Sequence, residues 1–319
     1  MLVAPDSFKG TIDAAAVAAA VARGLRSGGR EALELPIADG GEGTTDVLVR
    51  AHGGELREAE VSDPLGRPIT ASWGLLADGR TAVVEAAQAS GLWRVTEAER
   101  DAWSASTRGT GELIAAAAAH GATTVVVAVG GSATTDGGAG ALTALDEAGV
   151  DPALTVLCDV RTPWQRAPAV FGPQKGADLR TVRRLEERLA GLARAAPRDP
   201  TGVPMTGSAG GLSGGLWAHR GAQLVPGAAF ILDALGFDAH MRTSRFVVTG
   251  EGCLDDQTLD GKAVGELATR CRQAGVACHA VVGRDRLDLF QRRILDIASV
   301  TEAGTTAELE AAGRALAAL

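Results

Sequence analysis

Arg245-Phe246-Val247-Val248-Thr249-Gly250-Glu251-Gly252-Cys253-Leu254-Asp255 is the stretch on which the reading of the fold turns. Its Phe and Val residues predict a short buried strand, and the glycines and acids that follow cannot extend it. The same succession of strand, polar glycine loop and helix opens the chain. Residues 2–5 lead into Asp6-Ser7-Phe8-Lys9-Gly10, then a helix in which Val17, Val21 and Leu25 recur every fourth residue before Gly28-Gly29. Residues 31–37 lead into Ala38-Asp39-Gly40-Gly41-Glu42-Gly43 and a helix over 44–52, with Gly53 past its end. After residue 240 the rhythm resumes, with strands at 245–249, 276–282 and 296–300, a loop at 250–261, and helices at 262–274 and 306–319. Five strands, each followed by a loop and then a helix or the chain end, predict a flavodoxin-like doubly wound parallel sheet.

The middle of the chain reads differently. Asp63-Pro64-Leu65-Gly66-Arg67-Pro68 is dense in turn residues and marks a domain boundary. Residues 69–75 alternate, and Asp78-Gly79 is a hairpin signal before 81–87, so an antiparallel pair is expected in a separate sheet. A helix over 110–120, a buried strand over 123–129, a glycine-rich loop over 130–140 and a strand over 154–158 follow. The helix over 178–196 places Leu179, Val182, Leu185, Leu189 and Leu192 on one face. The expected class is therefore α/β: residues 1–62 plus 241–319 form the doubly wound domain. A second α/β domain with a mixed sheet, 63–240, is inserted between its second and third strands.

The 319 residues suit two domains. With Lys+Arg 31 against Asp+Glu 39, the net charge is −8, and no basic block is present. Nucleic acid and anionic membranes are therefore not expected partners. Aromatic residues at 3%, with no Tyr, leave no stacking platform for single strands. No apolar run is long enough for a membrane span. Pro5, Asp6 and Lys9 near the start do not have signal-peptide anatomy. Cys158, Cys253, Cys271 and Cys278 form no C-x-x-C pair and read as buried thiols of a reducing, cytoplasmic setting. The His residues show no metal-binding spacing.

In open α/β sheets ligands bind beyond the carboxyl ends of the strands, where loops and helix N-termini converge. Those ends carry Asp6, Asp39, Glu42, Glu251, Asp255 and Glu302, interleaved with glycine. Carboxylates there can hold Mg²⁺ through oxygen, and glycine lets a ligand approach the backbone. Each carboxylate alone is as well explained by helix capping; the set is not. In the middle segment, the run from Gly130 to Gly140 (Gly-Gly-Ser-Ala-Thr-Thr-Asp-Gly-Gly-Ala-Gly) follows a strand and opens a helix, which makes an anion cradle or a tight structural turn. It is no Walker A motif, and Gly109-Thr110-Gly111-Glu112-Leu113-Ile114 lacks the third glycine of a dinucleotide fingerprint. Lys175 stands among turn residues, Phe171-Gly172-Pro173-Gln174 before it and Gly176 after. The stretch 207–215 is expected to be a nucleotide-facing turn too flexible for a core element. Gly211-Leu212-Ser213-Gly214-Gly215 fits the G-x-S-x-G elbow without the strand that elbow requires.

Taken together, these segments resemble the glycerate kinase type I family. The resemblance rests on V-A-P-D-S-F-K-G from Val3, A-D-G-G-E-G-T from Ala38, D-P-L-G-R-P from Asp63 and G-T-G-E-L-I from Gly109. It continues with G-G-S-A-T-T-D-G-G-A-G from Gly130, C-D-V from Cys158 and V-F-G-P-Q-K-G-A from Val170. S-A-G-G-L-S-G-G-L from Ser208 and V-T-G-E-G-x-L-D-x-Q-T-L-x-G-K-A from Val248 complete it, in order along nearly the whole chain. The resemblance implies ATP-dependent phosphorylation of glycerate, with 2-phosphoglycerate favoured, by two α/β domains of which one is inserted in the other. Three places depart from the pattern: a first strand clipped to Met1-Leu2-Val3, a short 148–154 segment, and Val282-Gly283-Arg284-Asp285 in place of an A-G-S-type turn.

In-line phosphoryl transfer across a cleft that closes on the substrates would need an aligned hydroxyl, charge neutralisation and a proton acceptor. Asp39, Lys9 and Asp136 are the catalytic candidates, with Asp39 as base. Asp6, Ser7, Gly40, Gly41, Glu42, Arg67 and Lys175 are candidates for glycerate. Gly130, Gly131, Ser132, Thr134, Gly210, Gly211 and Gly250 are candidates for ATP, and Glu251 and Asp255 for Mg²⁺. A second copy of the chain, forming a homodimer, is the candidate protein partner. Two other readings stand: a non-catalytic sugar-acid binding or regulatory protein, and a serine hydrolase using Ser213 with His279.

Overall fold

The computed structural model describes residues 1–259 and 262–319; the end of the expected 250–261 loop, Asp260 and Gly261, lies outside the described residues. Strands β1 (Leu2–Val3) and β2 (Leu33–Glu34) come first. Strands β3 (Gly54–Ser62), β4 (Pro68–Leu76), β5 (Thr81–Glu85), β6 (Thr124–Ala128), β7 (Ala153–Cys158) and β8 (Gln223–Pro226) follow. Strands β9 (Phe246–Thr249), β10 (Ala277–Val282) and β11 (Ile297–Glu302) close the series. The chain divides into two compact units, Met1–Asp39 with Ala228–Leu319, and Gly40–Gly227.

The first unit holds a five-stranded sheet in the order β11-β10-β9-β1-β2, parallel throughout. This is the doubly wound order that the five-strand pattern predicts, and its switch point lies between β1 and β9. β1 is only two residues long, yet its alignment continues past its end. The Ala4 N–H donates to the Val248 carbonyl at 2.7 Å, Asp6 N–H to Gly250 at 2.8 Å, and Ile37 N–H to Pro5 at 2.9 Å. Helix Ala14–Ser27 starts at Asp13, whose carboxylate accepts from the Ala16 N–H, and buries Val17, Val21 and Leu25. It packs on helix Thr306–Leu316 around two glycines. A Cβ on Gly24 would lie 2.0 Å from the Glu310 carbonyl oxygen, and one on Gly313 2.2 Å from that of Val21.

The second unit carries a six-stranded mixed sheet, β3-β4-β5-β6-β7-β8, antiparallel from β3 to β5 and parallel onward. The turn at Asp63 is the loop of a hairpin: β3 pairs with β4 from Gly54↔Leu76 to Ser62↔Pro68. The Asp63 carboxylate accepts the N–H groups of Leu65 and Arg67 there. β3 is a polar, mostly exposed edge strand, so it carries no apolar period and nothing in the sequence marks it. Helix Thr44–His52 packs against β4 closely enough that a Cβ on Gly74 would meet Val49 and Thr45. The division consequently falls after Asp39 and Gly227, whereas the change of rhythm suggests 62 and 240.

Two local expectations are corrected. Leu179, the first residue of helix Leu179–Ala195, is 82% exposed, and the buried stripe runs through Val182, Leu185, Leu189 and Ala193. Residues 207–215 are not a flexible turn, because Ser208–Gly211 and the first turn of helix Leu212–Arg220 are buried. The glycines of the stretch are required by packing. A Cβ would lie 2.0 Å from the Thr134 carbonyl at Gly210, 2.5 Å from that of Thr206 at Gly214, and 2.2 Å from that of Gly137 at Gly215. Cys158, Cys271 and Cys278 are buried, Cys253 is partly exposed, and all four are free thiols. Among the described residues no helix is long and apolar enough to cross a membrane.

Replacing glycine by alanine inside a helix ordinarily stabilises by up to ~1 kcal/mol. Gly191, whose added Cβ would meet nothing closer than Arg194 at 3.9 Å, should follow that rule. Gly24→Ala should reverse it and destabilise by roughly 1–3 kcal/mol, because its methyl group meets a backbone carbonyl. Urea denaturation of the two variants beside the parent measures both signs.

Candidate functional site

The first unit brings its acidic loops together at the switch point. A cavity of about 440 Å³ is lined by Asp6, Ser7 and Lys9 after β1, Glu251, Gly252 and Asp255 after β9, Gly283 and Arg284 after β10, and Lys262. The hydrogen bond from the Asp6 N–H to the Gly250 carbonyl aligns the first two loops. Gly250 is held to glycine by packing, as a Cβ there would lie 2.0 Å from the Val281 carbonyl oxygen. Lys9 Nζ donates to Asp39 Oδ2 at 2.9 Å; the lysine is about half exposed (52%) and the aspartate buried (4%). Asp6 is buried, and its carboxylate accepts from the Ser7 N–H at 2.6 Å. Burial and the neighbouring Asp39 charge push the Asp6 carboxyl well above its ordinary range, against the pull of Lys9. Glu251 accepts from the Thr258 hydroxyl at 2.7 Å, and burial pushes it up to about 7. Two buried carboxyls with raised proton affinity beside lysines make this cavity the candidate ligand site.

The second unit has its own cavity, about 220 Å³, lined by Gly131, Ser132, Lys175, Asp159 and the apolar Leu92, Val129 and Phe171. Lys175 is buried on the turn Pro173–Lys175 and donates to Ser132 Oγ at 3.0 Å and to the Thr134 carbonyl at 2.6 Å. Burial lowers its pKa to about 8, opposed by Asp159 and Asp136. The loop that supplies this wall spends many of its backbone donors internally. Gly130 N–H donates to the Gly40 carbonyl, Ala133 to Ser90 and Gly137 to Gly210, while Gly138 and Gly140 donate to the Asp136 carboxylate. Among the described residues, the hydroxyls of Thr134 and Thr135 are buried without a partner.

Several sequence-derived candidates are engaged in packing or pairing away from either cavity, or are exposed. Asp136 accepts from Thr107 N–H and Oγ1, both at 2.9 Å, as well as from the two glycines, so it fixes the start of helix Ala139–Ala148. Arg67 is paired with Asp63 and Glu99 beside the hairpin turn. Gly40 takes φ 92° and faces Leu157 and Gly227, Gly41 lies against Gly130, and Glu42 is exposed. Gly210 and Gly211 are packed against Thr134, Gly137 and Trp164. Ser213 donates its hydroxyl to the Met205 carbonyl at 2.7 Å, and His279 pairs with Ser299.

One functional candidate escapes the sequence reading. Glu85 ends β5 and is buried, and its Oε1 accepts the Thr45 N–H at 2.8 Å at the start of helix Thr44–His52. The signal that could have found it is an acid at the carboxyl end of a strand, the same one that marks Asp6 and Glu251 in the outer segments.

A doubly wound sheet with carboxylates and lysines gathered at its switch point, carried in one chain with a mixed-sheet α/β unit, defines an α/β protein with a polar small-molecule site. The chain belongs to the glycerate kinase family, whose profile matches residues 1–154 and 146–315. It is 38% identical over 301 residues to the glycerate 2-kinase of Escherichia coli K12, covering 82% of this chain and 79% of that one. It is 36% identical over 339 residues to the glycerate kinase of Bacillus subtilis 168, covering 92% and 88%. A crystal structure described as a candidate glycerate kinase 2 from Salmonella typhimurium LT2 superposes with a TM-score of 0.82 at 32% identity, covering 99% of this chain and 96% of that one.

Burial raises Glu85 from 4.5 to about 7. A carboxyl whose folded value lies above its unfolded one gives stability that is complete below pH 4.5 and lost as pH rises through about 7. Glu85→Gln keeps an oxygen for the Thr45 N–H but cannot ionise. Denaturant unfolding should show the variant gaining on the parent by about 3 kcal/mol between about pH 4 and about pH 8; parallel profiles would refute this protonation.

Proposed function

We propose that this chain phosphorylates glycerate with ATP, by direct in-line transfer to a hydroxyl, with 2-phosphoglycerate as product. The observation that carries the reading is the Lys9–Asp39 ion pair beside buried Asp6, at the switch point of a chain of the glycerate kinase family. Phosphoryl transfer asks little covalent chemistry of a protein; it asks for positioning and charge neutralisation. Asp39 accepts the proton of the attacking hydroxyl. Lys9, held against it, stands ready to balance negative charge on the transferring group. Asp6, which lines the same cavity as Lys9, is placed to hydrogen-bond the substrate. Gly131, Ser132 and Thr134 are the proposed contacts for the nucleotide phosphates. Lys175 already holds Ser132 and Thr134 in place, so it acts by ordering this wall.

Among the described residues no group of three His, Cys, Asp or Glu forms a metal site. Mg²⁺ bound with a nucleotide needs only one or two carboxylates from the protein. Glu251 and Asp255 fit that demand, because both line the first cavity and Glu251 is a buried oxygen donor whose ionised form a dication would favour. When bound, the metal would neutralise phosphate charge during transfer. An aqueous reducing compartment suits the four free thiols.

The parent protein should release ADP when given ATP, Mg²⁺ and glycerate, and phosphorus NMR should show the ester at the 2-position. Asp39→Asn should lower kcat by at least ~100-fold with an unchanged circular dichroism spectrum. A near-normal kcat in that variant removes Asp39 from the role of base.

A further inference from the structure

The glycerate carboxylate needs a cation, and the three cations that the sequence offers are engaged. Arg67 pairs with Asp63 and Glu99, Lys175 is bonded to Ser132 and Thr134, and Lys9 is held on Asp39. The first cavity contains two others, Lys262, whose charge lowers the proton affinity of Glu251, and Arg284. Arg284 lines it together with Asp6, Ser7 and Lys9, in the turn where this chain departs from the family's A-G-S-type sequence.

The backbone around Arg284 is tied down on both sides. Its carbonyl accepts the Leu254 N–H at 2.9 Å, the Gly283 N–H donates to the Glu251 carbonyl at 3.1 Å, and the Arg286 N–H donates to the Leu254 carbonyl at 2.9 Å. Asp285 fixes the next position: its N–H donates to Glu302 at 2.8 Å, and its nearly buried carboxylate pairs with Arg292 at 2.7 Å. Among the described residues, the guanidinium of Arg284 makes no hydrogen bond or ion pair, although acids line the same cavity. A fixed backbone carrying an uncommitted planar fork is suited to bidentate capture of a carboxylate.

We infer that Arg284 is the specificity-determining residue that binds the carboxylate of the three-carbon acid in the first cavity. The assignment rests on the proposed glycerate kinase reading. Nucleotide phosphates are the other anions that the fork could meet; their proposed contacts Gly131 and Ser132 line the cavity of the second unit instead, and the KM for ATP separates the two anions.

The test compares the parent with Arg284→Gln and Arg284→Lys. Arg284→Gln should raise the KM for glycerate roughly 10- to 100-fold. The KM for ATP should stay within about twofold, and Arg284→Lys should recover part of the loss. Calorimetry with glycerate, in the presence of Mg²⁺ and a non-hydrolysable ATP analogue, should show the same loss in Kd. An unchanged KM for glycerate, an equal rise in the KM for ATP, or a parent that does not bind glycerate overturns the assignment. A parent that binds glycerate but releases no ADP overturns the kinase reading and leaves the calorimetric comparison to judge Arg284.

Discussion

The parallel alignment of β1 between β2 and β9 is the constraint on which the first unit depends. β1 itself is two residues long, so most of its stabilisation comes from what lies on either side of it and from backbone bonds beyond its formal end. Those bonds carry the chain through Ala4 and Pro5 to Asp6, whose N–H reaches the Gly250 carbonyl. One ladder thereby sets the register of the sheet and aligns the two loops that supply Asp6 and Glu251 to the cavity. Leu2 and Val3 are completely buried, as expected of a strand packed on both faces.

Burial gives three of the chain's carboxyls their character. Asp6 and Glu251 in the first unit and Glu85 in the second are all removed from water, and in each case loss of hydration is the largest influence on proton affinity. The partners then differentiate them. Asp6 feels Asp39 and Lys9, Glu251 receives the Thr258 hydroxyl, and Glu85 receives the N–H of Thr45. Asp136 contrasts with them, because four donors surround its carboxylate and anchor two helix starts. Four acids of similar appearance in sequence thus occupy different settings according to the burial and the donors around them.

Glycine serves close packing in both units. Gly24 and Gly313 let two helices touch backbone to backbone, and Gly210 and Gly215 let a buried turn and helix rest on the loop that precedes helix Ala139–Ala148. A run of glycines read as a flexible ligand-facing turn is therefore, at 207–215, a tightly packed part of the core. Composition alone cannot separate these cases, since the absent Cβ serves flexibility and close contact equally well.

The sequence by itself determined the local elements and their class. The spacing of Val17, Val21 and Leu25, the β-branched run of β6, and the glycines closing helices are all short-range signals, and the strand–loop–helix rhythm they build implies a doubly wound sheet. The acidic loops after β1 and β9 were legible because the fold class says which strand ends meet a ligand. The tertiary structure alone decided which strands pair at an exposed polar edge, as β3 shows, and where one unit gives way to the next. It also decided which charges are already spent, as with Arg67 and Lys175, and which remain open among the described residues, as with Arg284. Those outcomes depend on contacts between residues far apart in the chain, and a side chain's partners across such distances leave no periodic trace in sequence.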